Sequence, residues 1–142
     1  LWLFSVVWTT DVMAYFGGRL IGGPKLWPRV SPGKTWSGFL VGITCGATAS
    51  CALALWMTTP GEARVLPLIL LGLVTAAISQ GGDLFESSVK RRFGAKDSGR
   101  IIPGHGGALD RLDAFVFASI FAAIIGTLHK GSVAAAHGLL VW

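Results

Sequence analysis

The sequence predicts an all-α fold, a polytopic bundle of about four membrane-spanning helices. Three observations carry that expectation. The 142 residues are 52% hydrophobic and only 13% charged, where a soluble domain averages about 25% charged. The apolar residues gather in four long stretches, and the cations gather in the intervals between them. The length is that of one domain.

The first stretch runs from Leu1 to about Phe16 and is interrupted by Asp11. The chain opens in mid-stretch, which reads as a fragment or a processed form. The second, Trp36 to Met57, carries no charge over 22 residues and meets outright the roughly 20 residues that a spanning helix needs. The third, Val65 to about Gln80, ends just before Asp83 and Glu86. The fourth, Leu112 to Leu128, has Asp113 at its start. These last two are borderline by length alone. The tail, Ser132 to Trp142, is too short to span and is expected at the interface or as an extension of the last helix. Cys45 and Cys51 fall within the second stretch and read as buried free thiols.

The intervals set the orientation. Gly17 to Thr35 holds Arg19, Lys25, Arg29 and Lys34 with no acid. Ser87 to Arg111 holds Lys90, Arg91, Arg92, Lys96, Arg100 and Arg111 against Asp97 and Asp110. Between them, Thr58 to Arg64 has one acid and one base. Two spans separate the basic intervals, so they lie on one side, and the positive-inside tendency makes that side cytosolic. The net charge of +5 is then a matter of topology rather than of nucleic-acid binding.

The chemistry is expected in those same intervals. Carboxylates at membrane depth are costly and mostly serve function or pairing. Asp83, Glu86 and Lys90 share a helical face at i, i+3 and i+7. Asp110 and Asp113 repeat the three-residue spacing at the start of the fourth stretch, where a helix N-terminus tolerates negative charge. Pairing with nearby Lys and Arg is the plainer alternative for each acid. Carboxylates beside a phosphate-rich ligand suggest Mg2+, which takes one or two carboxylates plus phosphate oxygens. Zinc does not suit intramembrane cysteines and scattered histidines.

Within the second basic interval, cations alternate with Gly, Ser and His up to the turn Gly104-His105-Gly106-Gly107. This suits phosphate oxygens, by the planar fork of Arg and the mobile charge of Lys. A basic loop that merely touches lipid head groups is the alternative. Gly17-Gly18, Gly22-Gly23 and Gly81-Gly82 allow positive backbone dihedrals or close approach to a ligand. In the first interval, Gly33-Lys34-Thr35 resembles the end of a Walker-type phosphate loop. That motif needs glycine five places before Gly33, where Pro28 stands, and no strand-like segment precedes it. Ser31, Lys34 and Thr35 remain phosphate candidates at the N-terminal end of the second span. Asp11 and Tyr15, four apart, share a face that pairs with a basic residue or lines a polar cavity.

Ser87 to Asp113 resembles the signature of the phosphatidate cytidylyltransferases, the CDP-diacylglycerol synthases. The matching residues are Ser87, Val89, Lys90 and Arg91, then Lys96 and Asp97, Gly99, Ile102 and Pro103. The signature closes with His105, Gly106, Gly107, Asp110, Arg111 and Asp113. Ala108 departs from it, where a larger apolar residue is expected. Ser79 to Glu86, Asp11, Tyr15, Gly18-Arg19 and Ser31 to Thr35 also look like that family. The resemblance covers most of the chain and implies that residues 1–142 are the C-terminal catalytic part of a membrane-embedded cytidylyltransferase domain whose N-terminal helices are missing.

The resemblance implies a reaction in which CTP and phosphatidate give CDP-diacylglycerol and pyrophosphate. It places magnesium on Asp83 and Asp110. Lys90, Arg91, Lys96 and Arg111 become candidates for the triphosphate or the lipid phosphate, with Asp97, Gly106 and Gly107 in the same binding segment and Ser31, Lys34 and Thr35 as a second group. His105 is expected to donate a hydrogen bond or shape its loop, not to act as a base. A bacterial inner-membrane location with a cytosol-facing site follows. The oligomeric state stays open, a homodimer being one option. The rival readings are a CTP-dependent polyprenol or phytol kinase and an ion-conducting membrane protein.

Overall fold

The computed structural model describes residues 1–58, 64–93, 109–131 and 134–141, with the backbone alone described for 109–113. Helix α1 spans Trp2–Leu20, α2 Trp36–Met57, α3 Val65–Arg92, α4 Leu109–Lys130 and α5 Ala135–Leu140. Two short strands, β1 (Lys25–Trp27) and β2 (Ser31–Thr35), lie between α1 and α2. The four long helices form the bundle. Helix α1 packs on α2, α2 on α3 and α3 on α4, and α1 also touches α3 and α4.

The packing is inside-out compared with a water-soluble bundle. The buried positions are mostly small: Ala47, Ala54, Ala76, Ala114, Ala118 and Ala122, around Val6 and Leu68. Large apolar side chains such as Phe4, Trp8, Leu40, Trp56, Leu70 and Ile120 face outward. Lipid tails are as apolar as leucine, so nothing drives large side chains inward, and small residues let backbones approach closely. This is a membrane protein. Two of its helices, α2 with 22 residues and α3 with 28, are long and apolar enough to cross a bilayer, and α4 contributes a shorter apolar segment, Ala114–Lys130.

The closest helix contact rests on a stripe of glycines along α2. Gly38, Gly42 and Gly46 are four apart and all buried. A β-carbon at Gly38 would sit 2.5 Å from the Ala14 carbonyl oxygen, and one at Gly42 2.8 Å from that of Thr10. At Gly46 it would meet the Thr10 hydroxyl at 2.1 Å. The α1 backbone therefore lies directly on the face of α2.

Helix α2 has the limits that its uncharged run predicts. Thr35 caps it, its Oγ1 accepting a hydrogen bond from the Gly38 N–H at 3.1 Å. Helix α1 continues to Leu20, beyond Phe16. Helix α3 runs twelve residues past Gln80, so Asp83, Glu86 and Ser87 to Arg92 are helical, not loop. Two features keep it going. The Gly82 face is closed by the Phe117 ring of α4, and Glu86 pairs with Lys90 one turn on at 3.5 Å. Gly17, Gly18, Gly81 and Gly82 are all helical, whereas Gly22 and Gly23 have φ of 68° and 105° and turn the chain out of α1.

The hairpin is a correction to the sequence reading. Strands β1 and β2 pair antiparallel, Lys25 opposite Thr35 and Trp27 opposite Ser31, with an irregularity between. The tail does not extend the last helix, one of its two expected places: α5 is a separate helix that folds back on α4. Gly138 lies against the Gly126 backbone, and His129 Nδ1 stands 2.9 Å from the Gly138 carbonyl oxygen.

Candidate active site

A cavity of about 510 Å³ lies at the hairpin end of the bundle. Helix α1 contributes Asp11, Ala14, Tyr15, Gly18 and Arg19. The hairpin contributes Lys25, Gly33, Lys34 and Thr35, α2 gives Gly38 and Phe39, and α3 gives Gln80 and Asp83. Asp11 lies eight residues before Arg19 on one helix, so the cavity reaches about 12 Å from its rim into the bundle.

Lys34 and Asp83 form its central pair. The Lys34 ammonium donates to Asp83 Oδ2 across 49 residues of sequence. Both side chains stay partly open, 26% and 34% exposed. The Ser87 hydroxyl stands 3.5 Å from the other Asp83 oxygen, at the limit of a hydrogen bond. The hairpin delivers Lys34 there because the chain entering it and the chain leaving it are tied together. At one end, Trp36 N–H donates to the Pro24 carbonyl at 3.1 Å, and the Ser37 hydroxyl donates to the Gly22 carbonyl. At the same open end, the Thr35 cap joins β2 to α2. A lysine held in a strand against a carboxylate is not the lysine of a Walker loop, even though a strand is present after all.

Farther along the wall, the Arg19 guanidinium donates to the Tyr15 hydroxyl at 2.7 Å and stands 6.0 Å over the Tyr15 ring. Gln80 is 4% exposed, and its amide nitrogen is buried with no acceptor among the described residues.

The structure thus brings Asp83, Lys34 and Thr35 together with Asp11 and Tyr15. Ser31 lies on β2 but does not line the cavity. Lys90 is engaged with Glu86 and, like exposed Arg91, sits farther along α3 than the cavity wall. The backbones of Asp110 and Arg111 stand in the first turn of α4. Helix α4 runs antiparallel to α3: Phe117 meets Gly82 and Phe85, while Phe121 and Ile125 pack on the Leu68–Leu71–Ala76 core. The first turn of α4 is therefore at the same end of the bundle as Asp83. The Asp110 and Arg111 side chains, and Lys96, Asp97, His105, Gly106 and Gly107 entirely, lie outside the described residues.

Sequence reasoning missed Lys25, Phe39 and Gln80. Gln80 carried a signal, as an amide closing an apolar run. Lys25 and Phe39 carried none without the hairpin.

Among the described residues, no three His, Cys, Asp or Glu side chains gather closely enough to hold a metal ion. Two carboxylates, Asp11 and Asp83, do line one cavity. Hard oxygen donors in that number, leaving places for water and phosphate oxygens, fit magnesium.

The sequence profile of the Cytidylyltransferase family matches residues 1–129. The chain is 51% identical over 126 residues to a protein of Brucella melitensis named phosphatidate cytidylyltransferase, covering 89% of this chain and 46% of that one. A protein of the same name from Staphylococcus epidermidis is 47% identical over 117 residues, with 82% and 44% covered. The chain spans somewhat less than half the length of these relatives.

Proposed function

From the premise that this chain belongs to the cytidylyltransferase family, we propose that the protein transfers the cytidylyl group of CTP to phosphatidate, yielding CDP-diacylglycerol and pyrophosphate. The observation that carries the reading is the Lys34–Asp83 pair in the wall of a cavity of about 510 Å³, a volume suited to a small-molecule substrate. Carboxylate and ammonium side by side answer the two needs of a nucleotide phosphate chain, a cation-holding oxygen and a direct positive charge.

A phosphate oxygen of phosphatidate attacks the α-phosphorus of CTP. The bond from that phosphorus to the oxygen bridging the β-phosphate breaks, and pyrophosphate leaves with the electron pair. The attacking oxygen is already anionic, so no general base is required. The chain's own residues act by positioning and charge neutralisation. Lys34, fixed by the hairpin, meets phosphate charge. Thr35 holds the strand that carries Lys34. Asp83, with Asp110 as the family resemblance implies, would hold magnesium, and Asp11 adds a second described carboxylate to the same cavity. When bound, the metal ion neutralises phosphate oxygens and steadies the leaving group.

The hairpin end faces the cytosol of a bacterial inner membrane in this reading. The cations Arg19, Lys25, Arg29 and Lys34 and the run Lys90 to Arg92 support it, as does the bacterial origin of the relatives. CTP then arrives from the compartment that makes it, and the lipid phosphate meets it at the membrane surface.

The test is a magnesium-dependent assay of the purified protein in lipid with CTP and phosphatidate. Release of pyrophosphate with CDP-diacylglycerol is expected. Release of CDP with a phosphorylated polyprenol would support the kinase alternative. Ion flux in liposomes without CTP turnover would support the conducting one.

A further inference from the structure

We infer that Arg19, oriented by Tyr15 and joined by Lys25, forms the subsite for the phosphate monoester of the lipid substrate, separate from the Lys34–Asp83 half that serves the nucleotide. This assignment rests on the transferase reading for the identity of the two substrates.

Charge is the first ground. The cavity is lined by the cations Arg19, Lys25 and Lys34. Lys34 shares its charge with Asp83, whereas Arg19 and Lys25 have no acidic partner among the described residues. Two uncommitted cations at one cavity attract an anion, and a guanidinium presents a planar fork that fits phosphate oxygens.

Orientation is the second ground. Arg19 is not a loose surface side chain. Its Nη1 donates to the Tyr15 hydroxyl at 2.7 Å, and its guanidinium carbon lies over the Tyr15 ring. One nitrogen is used, and the remaining N–H groups of the fork meet no acceptor among the described residues.

The surroundings separate lipid from nucleotide. Directly after Arg19 come Leu20 and Ile21, 81% and 68% exposed. Phe16 is also exposed, and Trp27 and Trp36 are half-exposed on the adjoining hairpin and helix start. Tryptophan and tyrosine collect at the membrane–water boundary, so this end of α1 marks head-group level. Exposed aliphatic residues one and two positions on from Arg19 bring this end of α1 to the acyl-chain boundary, which suits a phosphate that trails acyl chains. A triphosphate arriving from water has no use for them. Asp11 stands eight residues before Arg19 on α1, and with the Lys34–Asp83 pair it is assigned to the nucleotide half.

The experiment compares wild type, Arg19→Gln, Arg19→Lys and Lys25→Gln as purified protein in detergent micelles. Steady-state KM is measured for phosphatidate and for CTP. Binding without turnover is followed by tryptophan fluorescence, titrating short-chain phosphatidate, short-chain phosphatidylglycerol and CTP separately. For Arg19→Gln, a rise of about tenfold or more in both KM and Kd for phosphatidate is expected, the scale of one charge-assisted phosphate contact. The CTP values should stay within about twofold. Arg19→Lys should recover part of the loss, and Lys25→Gln should move in the same direction by less. Wild type should prefer phosphatidate to the phosphodiester phosphatidylglycerol. An equal or larger rise for CTP, or an unchanged Kd for phosphatidate in Arg19→Gln and Lys25→Gln alike, overturns the assignment. Wild type that binds phosphatidate through Arg19 without forming CDP-diacylglycerol would remove the transferase reading while leaving the subsite standing.

Discussion

Replacing Gly38 with alanine sets a methyl carbon 2.5 Å from the Ala14 carbonyl oxygen and 3.1 Å from the Gly18 Cα. Both obstacles are α1 backbone, so no side-chain rotation relieves the clash. Helices α1 and α2 must part by about 0.5–1 Å to restore van der Waals distance. Overpacking of that kind costs about 1–3 kcal/mol, which lowers the melting temperature by roughly 3–10 °C for a domain of this size. Gly81 supplies the control. It too is helical, but a β-carbon there meets nothing within 4 Å. Alanine at Gly81 should stabilise by about 0.5–1 kcal/mol, because glycine is the poorer helix former. Thermal unfolding in detergent, followed by far-ultraviolet circular dichroism, compares the two. Turnover should fall with stability only in Gly38→Ala, because Gly38 lines the cavity and its N–H holds the Thr35 cap. A Gly38→Ala protein that melts within about 1 °C of wild type, or a Gly81→Ala protein that is the worse damaged, would refute backbone-level contact between α1 and α2.

Three further outcomes are expected. Thr35→Ala should cost about 1 kcal/mol of stability through the lost cap, and Thr35→Ser should restore most of it, read from the same melting curves. Asp83→Asn and Asp110→Asn should each lower CTP turnover by about a hundredfold or more and weaken Mn2+ binding followed by electron paramagnetic resonance; unchanged turnover in both would remove the metal assignment. In a background without Cys45 and Cys51, Arg29→Cys on the hairpin and Met57→Cys at the far end of α2 should react with a membrane-impermeant maleimide from opposite sides. Labelling from the same side would contradict α2 as a span.

How far the fold could be read beforehand depended on whether the decisive partner was near or far in sequence. The bounds of α2 needed only local information, an uncharged run behind a capping threonine. The extent of α3 was underestimated because polarity was taken as its end. Asp83, Glu86 and Lys90 interrupt the apolar pattern, yet the Glu86–Lys90 pair and the Phe117 ring over Gly82 carry the helix onward. The hairpin was hidden because its strands are three and five residues long and hold a proline and a glycine. Only the pairing of Lys25 with Thr35 identifies them. The Gly38–Gly42–Gly46 spacing was visible, but its meaning lay in the α1 residues that fill it. Of the cavity's lining, Asp11, Asp83 and Tyr15 stood out in the sequence by charge at membrane depth and helical spacing, and Lys34 and Thr35 by their place before α2. That Lys34 would meet Asp83 was not legible, because it depends on the hairpin, on α2 and on the return of the chain along α3.

Helix α3 outruns the slab it crosses. Its 28 residues measure about 42 Å, against a hydrocarbon core of about 30 Å. About 12 Å must be absorbed by tilt or stand in the head-group layer. Asp83 is nine residues from the C-terminal end of α3, about 13.5 Å along its axis, close to where that surplus begins. The depth of the carboxylate therefore follows lipid chain length: longer acyl chains draw it beneath the surface, and shorter ones lift it toward water. Under the proposed activity, such a site would sense the thickness of the membrane to which its product contributes.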